Sequence, residues 1–266
     1  MVARTYLEEG GDPAFFTAER MADLRIVAGV ITKLQQPEDG LSWARSGIDG
    51  SGVDGRTKFL MDNSEVYRGL RAMAWLEREV SGSPNAGGAY DLAADAVRFG
   101  FDGPGGPGGI EGELLEPATG LYRVAKFRDE DQDPTNDPVQ NADPNVWFPN
   151  GIAHVVWPHL MGVTAPTDQT VAVQLAAVNV LDNGQPRFPW STQIVDPNNM
   201  PWSSMGFASY LAGDVTRAEE QAEFLLDQVL NVGSVTAQDP LTPAYPFLID
   251  DAGWLLQTLT ELQAPG

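Results

Sequence analysis

The sequence predicts an all-α domain of helical hairpins arranged in a ring. Three observations predict it. Apolar residues recur at helical spacing in one segment after another of the 266-residue chain. The strict alternation that marks a half-buried strand is nearly absent. The connections are unequal, with tight turns on one side and long loops rich in Gly, Pro and Asp on the other. That is the pattern expected when the long loops gather on one face of a ring.

The elements follow in chain order. Leu24, Val27, Ile31 and Leu34 set a helix over about residues 14–36 that ends before Pro37. Val66, Leu70 and Met73 set the next, within FLMDNSEVYRGLRAMAWLE. AYDLAADAVRFGF gives a shorter helix ending at Gly100. GLYRVAKFRD is the best candidate for a short strand. NGIAHVVWPHLMGV and WSSMGFASYLAG are apolar on nearly all sides, so both are expected as helices buried on both flanks. Val171, Leu175, Val178 and Leu181 mark a helix closed by DNG. Ala218, Ala222, Leu225 and Val229 mark another, and Leu255, Leu259 and Leu262 the last. GDVTRAE is a tight helix–helix turn, and GPGGPGG is a flexible connector without the Lys-Ser/Thr of a phosphate loop. The count is roughly eight helices in one domain over residues 1–266.

Charge narrows the function classes. Lys+Arg is 16 against Asp+Glu 37, a net of -21, and only Lys33, Lys58 and Lys126 are lysines. Such a surface repels nucleic acid and anionic membranes, so neither is an expected partner. An acid-rich, lysine-poor surface is also that of proteins adapted to high salt, where ions screen the self-repulsion. The melting temperature is therefore expected to rise between low and molar salt; a flat response counts against salt adaptation. No run approaches the roughly 20 apolar residues of a membrane span. The start, MVARTYLEEGGDP, lacks an apolar h-region. The location expected from it is cytoplasmic, or secreted or periplasmic where a signal has been trimmed. Cysteine is absent, which removes disulfides, thiolate metal sites and cysteine nucleophiles. The only histidines are His154 and His159, so acid–base chemistry falls mainly to carboxylates.

FLMDNSEVYRGLRAMAWLE, VWFPNGIAHVVWPHLMGV, PWSSMGFASYLAGDVTRAEEQAEFLL and YPFLIDDAGWLLQTL together resemble bacterial proteins of the six-hairpin glycosidase-like (α/α)-toroid superfamily. The resemblance covers most of residues 14–263 and implies a ring of hairpins. Inner-helix ends and long loops would build a sugar-binding cleft at one mouth, with acids at inner-helix N-termini. A full ring has about twelve helices, so the chain would be an incomplete ring or part of a longer protein. Asn150, in WFPNG, stands where related sequences are expected to carry an acid.

Two carboxylate pairs are the candidate catalytic residues. Asp62 and Glu65 have the D-x-x-E spacing of a capping box before an apolar run, and acids suit the positive end of a helix dipole. Asp250 and Asp251 follow an apolar run at another helix start, where capping is again the plainer role. Glycoside hydrolysis takes two carboxyls, roughly 5–5.5 Å apart for retention and roughly 6.5–9.5 Å for inversion. The expected arrangement is one acid from each pair.

The candidate substrate-binding residues are Trp43, Tyr67, Trp147, Asn150, His154, Trp190, Trp202 and Trp254. Five of the indoles lie in loops or at helix starts beside Asp, Asn and Arg. Sugar rings stack on such faces because their C–H surface is apolar and electropositive. The plainer role of each indole is to fill space between helices. Trp75 and Trp157 sit mid-helix and are expected in the core. His154 and His159 are five apart, off the spacing for a shared metal on a helix. No cofactor is expected, apart from a structural Ca²⁺ held by Asp129, Asp131, Asp133 and Asp137 of the acidic loop, whose plainer role is solvation.

The function expected from these residues is a glycoside hydrolase acting on an oligo- or polysaccharide through two carboxylates, with inversion by analogy to ring enzymes of this type. The alternatives are a non-catalytic carbohydrate-binding or scaffold protein on a degenerate toroid, or a polysaccharide lyase using Tyr67, Tyr122 or His154 as base.

Overall fold

Thr17 starts the first long helix because its backbone is extended while its hydroxyl accepts from the Arg20 N–H at 3.3 Å. The computed structural model describes residues 2–44, 57–127, 137–165, 168–229 and 249–263. The chain forms two compact units, Met1–Asn141 with Met161–Val163, and Ala142–Leu160 with Thr164–Gly266.

Unit one contains α1 (Val2–Glu8), α2 (Ala18–Leu34), β1 (Thr57–Phe59), α3 (Leu60–Glu79), α4 (Pro84–Phe99), α5 (Gly109–Glu113), β2 (Leu115–Glu116), β3 (Leu121–Tyr122), β4 (Ala125–Phe127) and β5 (Val139–Gln140). α3 and α4 are its central hairpin. Leu70 and Met73 are buried on α3 at the expected spacing. On α2 the inward line differs from the expected one: Met21 and Ala28 are buried and Val27 is exposed. This helix is apolar on most of its circumference, so periodicity alone does not choose its inner face. The Arg25 guanidinium helps to choose it, donating to both Glu77 carboxylate oxygens at 2.6 and 2.9 Å. That pairing holds the Glu77 carboxyl below its ordinary pKa.

The sheet β1-β4-β5 is antiparallel and sets Lys58 directly opposite Lys126. Both lysines are buried, at 0% and 3% exposure. Like charges opposite each other on a ladder are unfavourable. Asp39 relieves the pair, with its Oδ2 2.7 Å from Lys58 Nζ and 3.5 Å from Lys126 Nζ. Glu38 adds a contact to Lys58 at 3.3 Å, and Glu113 one to Lys126 at 3.0 Å. The Lys58 ammonium also lies 4.2 Å from the centre of the Trp43 ring. Glycine makes the approach of Asp39 possible. Gly40 has φ +80°, and a Cβ there would strike the Ala96 carbonyl oxygen. The Gly109 N–H donates to the Asp39 carbonyl at 2.6 Å, so part of the glycine-rich connector is a packing element.

Unit two contains α6 (Trp157–Leu160), α7 (Gln169–Val178), β6 (Leu181–Asp182), β7 (Gln185–Pro186), α8 (Ser204–Leu211), α9 (Val215–Phe224) and α10 (Ile249–Gln263). The DNG expected to close a helix is instead the turn of the β6–β7 hairpin. Asn183 and Gly184 both have positive φ, as a two-residue hairpin turn requires. Leu181 accordingly leaves the helical face and is exposed. Leu255 of α10 packs with Ala222 and Leu225.

The expected all-α toroid is not what the chain forms. Among the described residues about 55% are helical and 9% strand, with three small antiparallel sheets, so the fold is mixed α/β; no toroid is seen. The strands are two or three residues long, too short for alternation to show in the sequence. NGIAHVVWPHLMGV, expected as one helix, is a 3₁₀ turn over Ile152–His154 followed by the short α6. Among the described residues no helix is long and apolar enough to cross a membrane.

Candidate functional site

The most elaborate side-chain arrangement is in unit two, around Trp202. It begins with a tight loop over residues 143–151. Asp143 accepts from the Asn145 N–H at 2.8 Å, and its own N–H donates to the Asn150 carbonyl at 2.8 Å. The Ala153 N–H donates to the Trp147 carbonyl at 3.2 Å. Gly151 is required here, since a Cβ would collide with the Val146 and Trp147 carbonyl oxygens. The folded loop buries Trp147, leaves Phe148 half-buried and exposes Asn150.

Trp202 approaches from the segment before α8. Its φ is +48°, a left-handed conformation uncommon for a bulky residue. Three contacts hold it there. Its Nε1–H donates to Asp196 Oδ2 at 2.6 Å. Its carbonyl accepts from Gln221 Nε2 at 3.1 Å. The next residue, Ser203, donates to Asp251 Oδ1 from its backbone at 3.3 Å and from its hydroxyl at 2.8 Å. The indole meets Trp147, Phe148, His154 and Trp157 at centroid distances of 6.5, 5.7, 5.5 and 6.3 Å. Three of these contacts are near edge-to-face, the favourable arrangement for ring quadrupoles. Trp254 extends the cluster from Trp157 at 6.3 Å.

Two buried polar atoms in this cluster have no hydrogen-bond partner among the described residues: His154 Nδ1 and Trp147 Nε1. Burial pushes the His154 pKa down to about 4, against the opposing pull of Asp196 and a hydrogen bond to the Pro149 backbone. The imidazole is thus neutral at ordinary pH. The arrangement offers the half-exposed rings of Phe148 and Trp202 beside two buried ring nitrogens without a partner among the described residues. The Asp196 carboxylate is buried and taken up by the Trp202 Nε1–H and the Asn198 N–H.

Of the expected site residues, the structure gathers Trp147, His154, Trp202 and, through Trp157, Trp254. Asn150 sits exposed on the same loop. Trp190 is instead core, 2% exposed, with its Nε1–H donating to Asn179 at 3.0 Å. Asp251 is buried and engaged with Ser203, and Asp250 lies on the same helix with its side chain outside the described set. Asp62, Glu65, Tyr67 and Trp43 belong to unit one. Tyr67 is buried in its core. Asp62 and Glu65 are exposed on the first turns of α3. That helix is capped at Phe59, so Asp62 is not the N-cap of a capping box. The buried Asn63 anchors the helix start instead, accepting from the Ser42 N–H at 2.7 Å. Although Asp62 is exposed, the protein around its carboxyl raises its pKa above the ordinary aspartate value.

Sequence reasoning misses Asp196 and Phe148, whereas Trp157, expected in the core, is buried within the cluster. The signal for Asp196 is VDPNN, an Asp-Pro turn six residues before a tryptophan. Of the proposed calcium loop, Asp129, Asp131 and Asp133 lie outside the described residues. Asp137 is buried at its end. Among the described residues no group of three or more acids or imidazoles gathers to hold a metal. Comparison with models of protein families, with curated proteins and with solved structures finds no match to this chain.

Proposed function

We propose that the protein binds carbohydrate at the Trp202 cluster of unit two. The observation that carries the reading is the half-exposed Trp202, held in a strained backbone conformation beside two buried ring nitrogens that lack partners among the described residues. Backbone strain of this kind costs about 1–3 kcal/mol and gathers at ligand sites. An indole face suits the apolar C–H surface of a sugar. A hydroxyl both donates and accepts, so it can pair with a neutral imidazole nitrogen and an indole N–H at once. Leaving such atoms unpaired is costly, and a polar ligand removes that cost.

The raised carboxyl of Asp62 favours hydrolysis as a second reading. A general acid must hold its proton near the working pH, and a raised pKa serves that role. A glycoside hydrolase takes a second carboxylate to activate water, and Glu65, on the same helix of unit one, is its candidate.

A panel of neutral oligo- and polysaccharides, followed by titration calorimetry and by reducing-end release, tests both. Binding without release is the expected result for the first reading. Release that Asp62→Asn abolishes establishes the second. Neither binding nor release across the panel overturns both.

A further inference from the structure

α2 presents an apolar stripe to solvent. Ile26, Val27 and Val30 are 66%, 59% and 53% exposed. The stripe lies opposite the helix's own buried contact. At about 100° per residue, Ile26 and Val30 sit roughly 160° to either side of Ala28. Ala28 is buried in the core of unit one with Met21, Met73 and Leu76.

Two of the charges on this face, Asp23 and Lys33, are symmetric about the same residue; Glu19, in the first turn, has no basic counterpart. Asp23 precedes Ala28 by five positions and Lys33 follows it by five, each roughly 7.5 Å along the axis. Both are exposed, and neither has an ion pair among the described residues. Lys58 and Lys126 are buried in ion pairs, so Lys33 is the one lysine on offer at the surface. On a chain of net charge -21, an exposed lysine bordering an apolar stripe marks a place where an acidic surface can be met.

We infer that α2 is a self-association surface that pairs antiparallel with α2 of a second copy of this chain. A two-fold axis at the level of Ala28 sets Ile26 of one copy against Val30 of the other. It also brings Lys33 of one copy level with Asp23 of the other, twice. A two-fold interface must be self-complementary, and the stripe meets that condition in its apolar positions and in Asp23 and Lys33. The opposite registers fail: parallel pairing sets Asp23 against Asp23 and Lys33 against Lys33. One helix pair buries less than the roughly 800 Å² per partner of a standard interface, so the dimer is weak and reversible.

Sedimentation equilibrium of the full chain at about 0.15 M salt, where charges beyond roughly 8 Å are screened, is the test. The expected result is a monomer–dimer equilibrium with a dissociation constant of order 10 µM. Ile26→Asp is expected to weaken it at least tenfold, by placing a charge in the desolvated stripe. Asp23→Lys and Lys33→Glu should each weaken it severalfold, and the double variant should restore it to within about threefold of wild type. All these positions are exposed, and thermal melting checks that each variant is folded. A wild-type chain that stays monomeric to roughly 200 µM overturns the inference. So do charge variants whose effects add, with no restoration in the double variant.

Discussion

Replacing Lys58 with methionine is expected to destabilise unit one by about 3–5 kcal/mol, the cost of breaking a buried ion pair from one side. Lys58 is fully buried and Asp39 is 2% exposed, so the carboxylate cannot recover water when its cation is removed. Lys126 remains, but at 3.5 Å and shared with Glu113 at 3.0 Å. The loss comes from the stranded charge more than from a forfeited attraction. Removing both partners should therefore cost less than the sum of the single changes. Urea melts of Lys58→Met, Asp39→Asn and the double variant check this. A loss below about 1 kcal/mol for Lys58→Met would show that water reaches Asp39.

The second large effect is on pH. His154 has a folded pKa of about 4 against an ordinary 6.5. Between those values the unfolded chain binds a proton that the folded protein refuses. Stability contributed by the neutral imidazole is complete above pH 6.5 and falls as pH drops towards 4, by about 3 kcal/mol. His159 adds in the same direction, since burial lowers its pKa as well. His154→Phe keeps a ring among Trp202 and Phe148 but removes the proton. Its stability is expected to fall less steeply than wild type between pH 6.5 and 4.5. Parallel slopes would mean that water or solvent-driven opening reaches the imidazole.

These two residues show what the sequence reveals and what it conceals. α3, α9 and α10 are legible because Leu70 and Met73, Ala218 and Ala222, and Leu255 are the residues the structure buries. The sheets are legible only where GLYRVAKFRD holds β3 and β4; the other strands, of two or three residues, carry no period. The buried pair Lys58–Lys126 is not legible either, since lysine ordinarily marks a surface and only the β1–β4 register sets the two side by side. The Trp202 cluster is half legible. Loop tryptophans beside polar residues single out Trp147, Trp202 and Trp254. What unites them is a run of short turns, the φ of Trp202 and the reach of Asp196, all of which depend on tertiary hydrogen bonds.

The most direct test of the account is glycan affinity of wild type against Trp202→Ala, by titration calorimetry with a sugar drawn from the panel. Circular dichroism would confirm that the variant is folded. Loss of a central aromatic contact should weaken binding by roughly thirtyfold or more. A folded variant that binds the same sugar with unchanged affinity would contradict the placement of the site at Trp202.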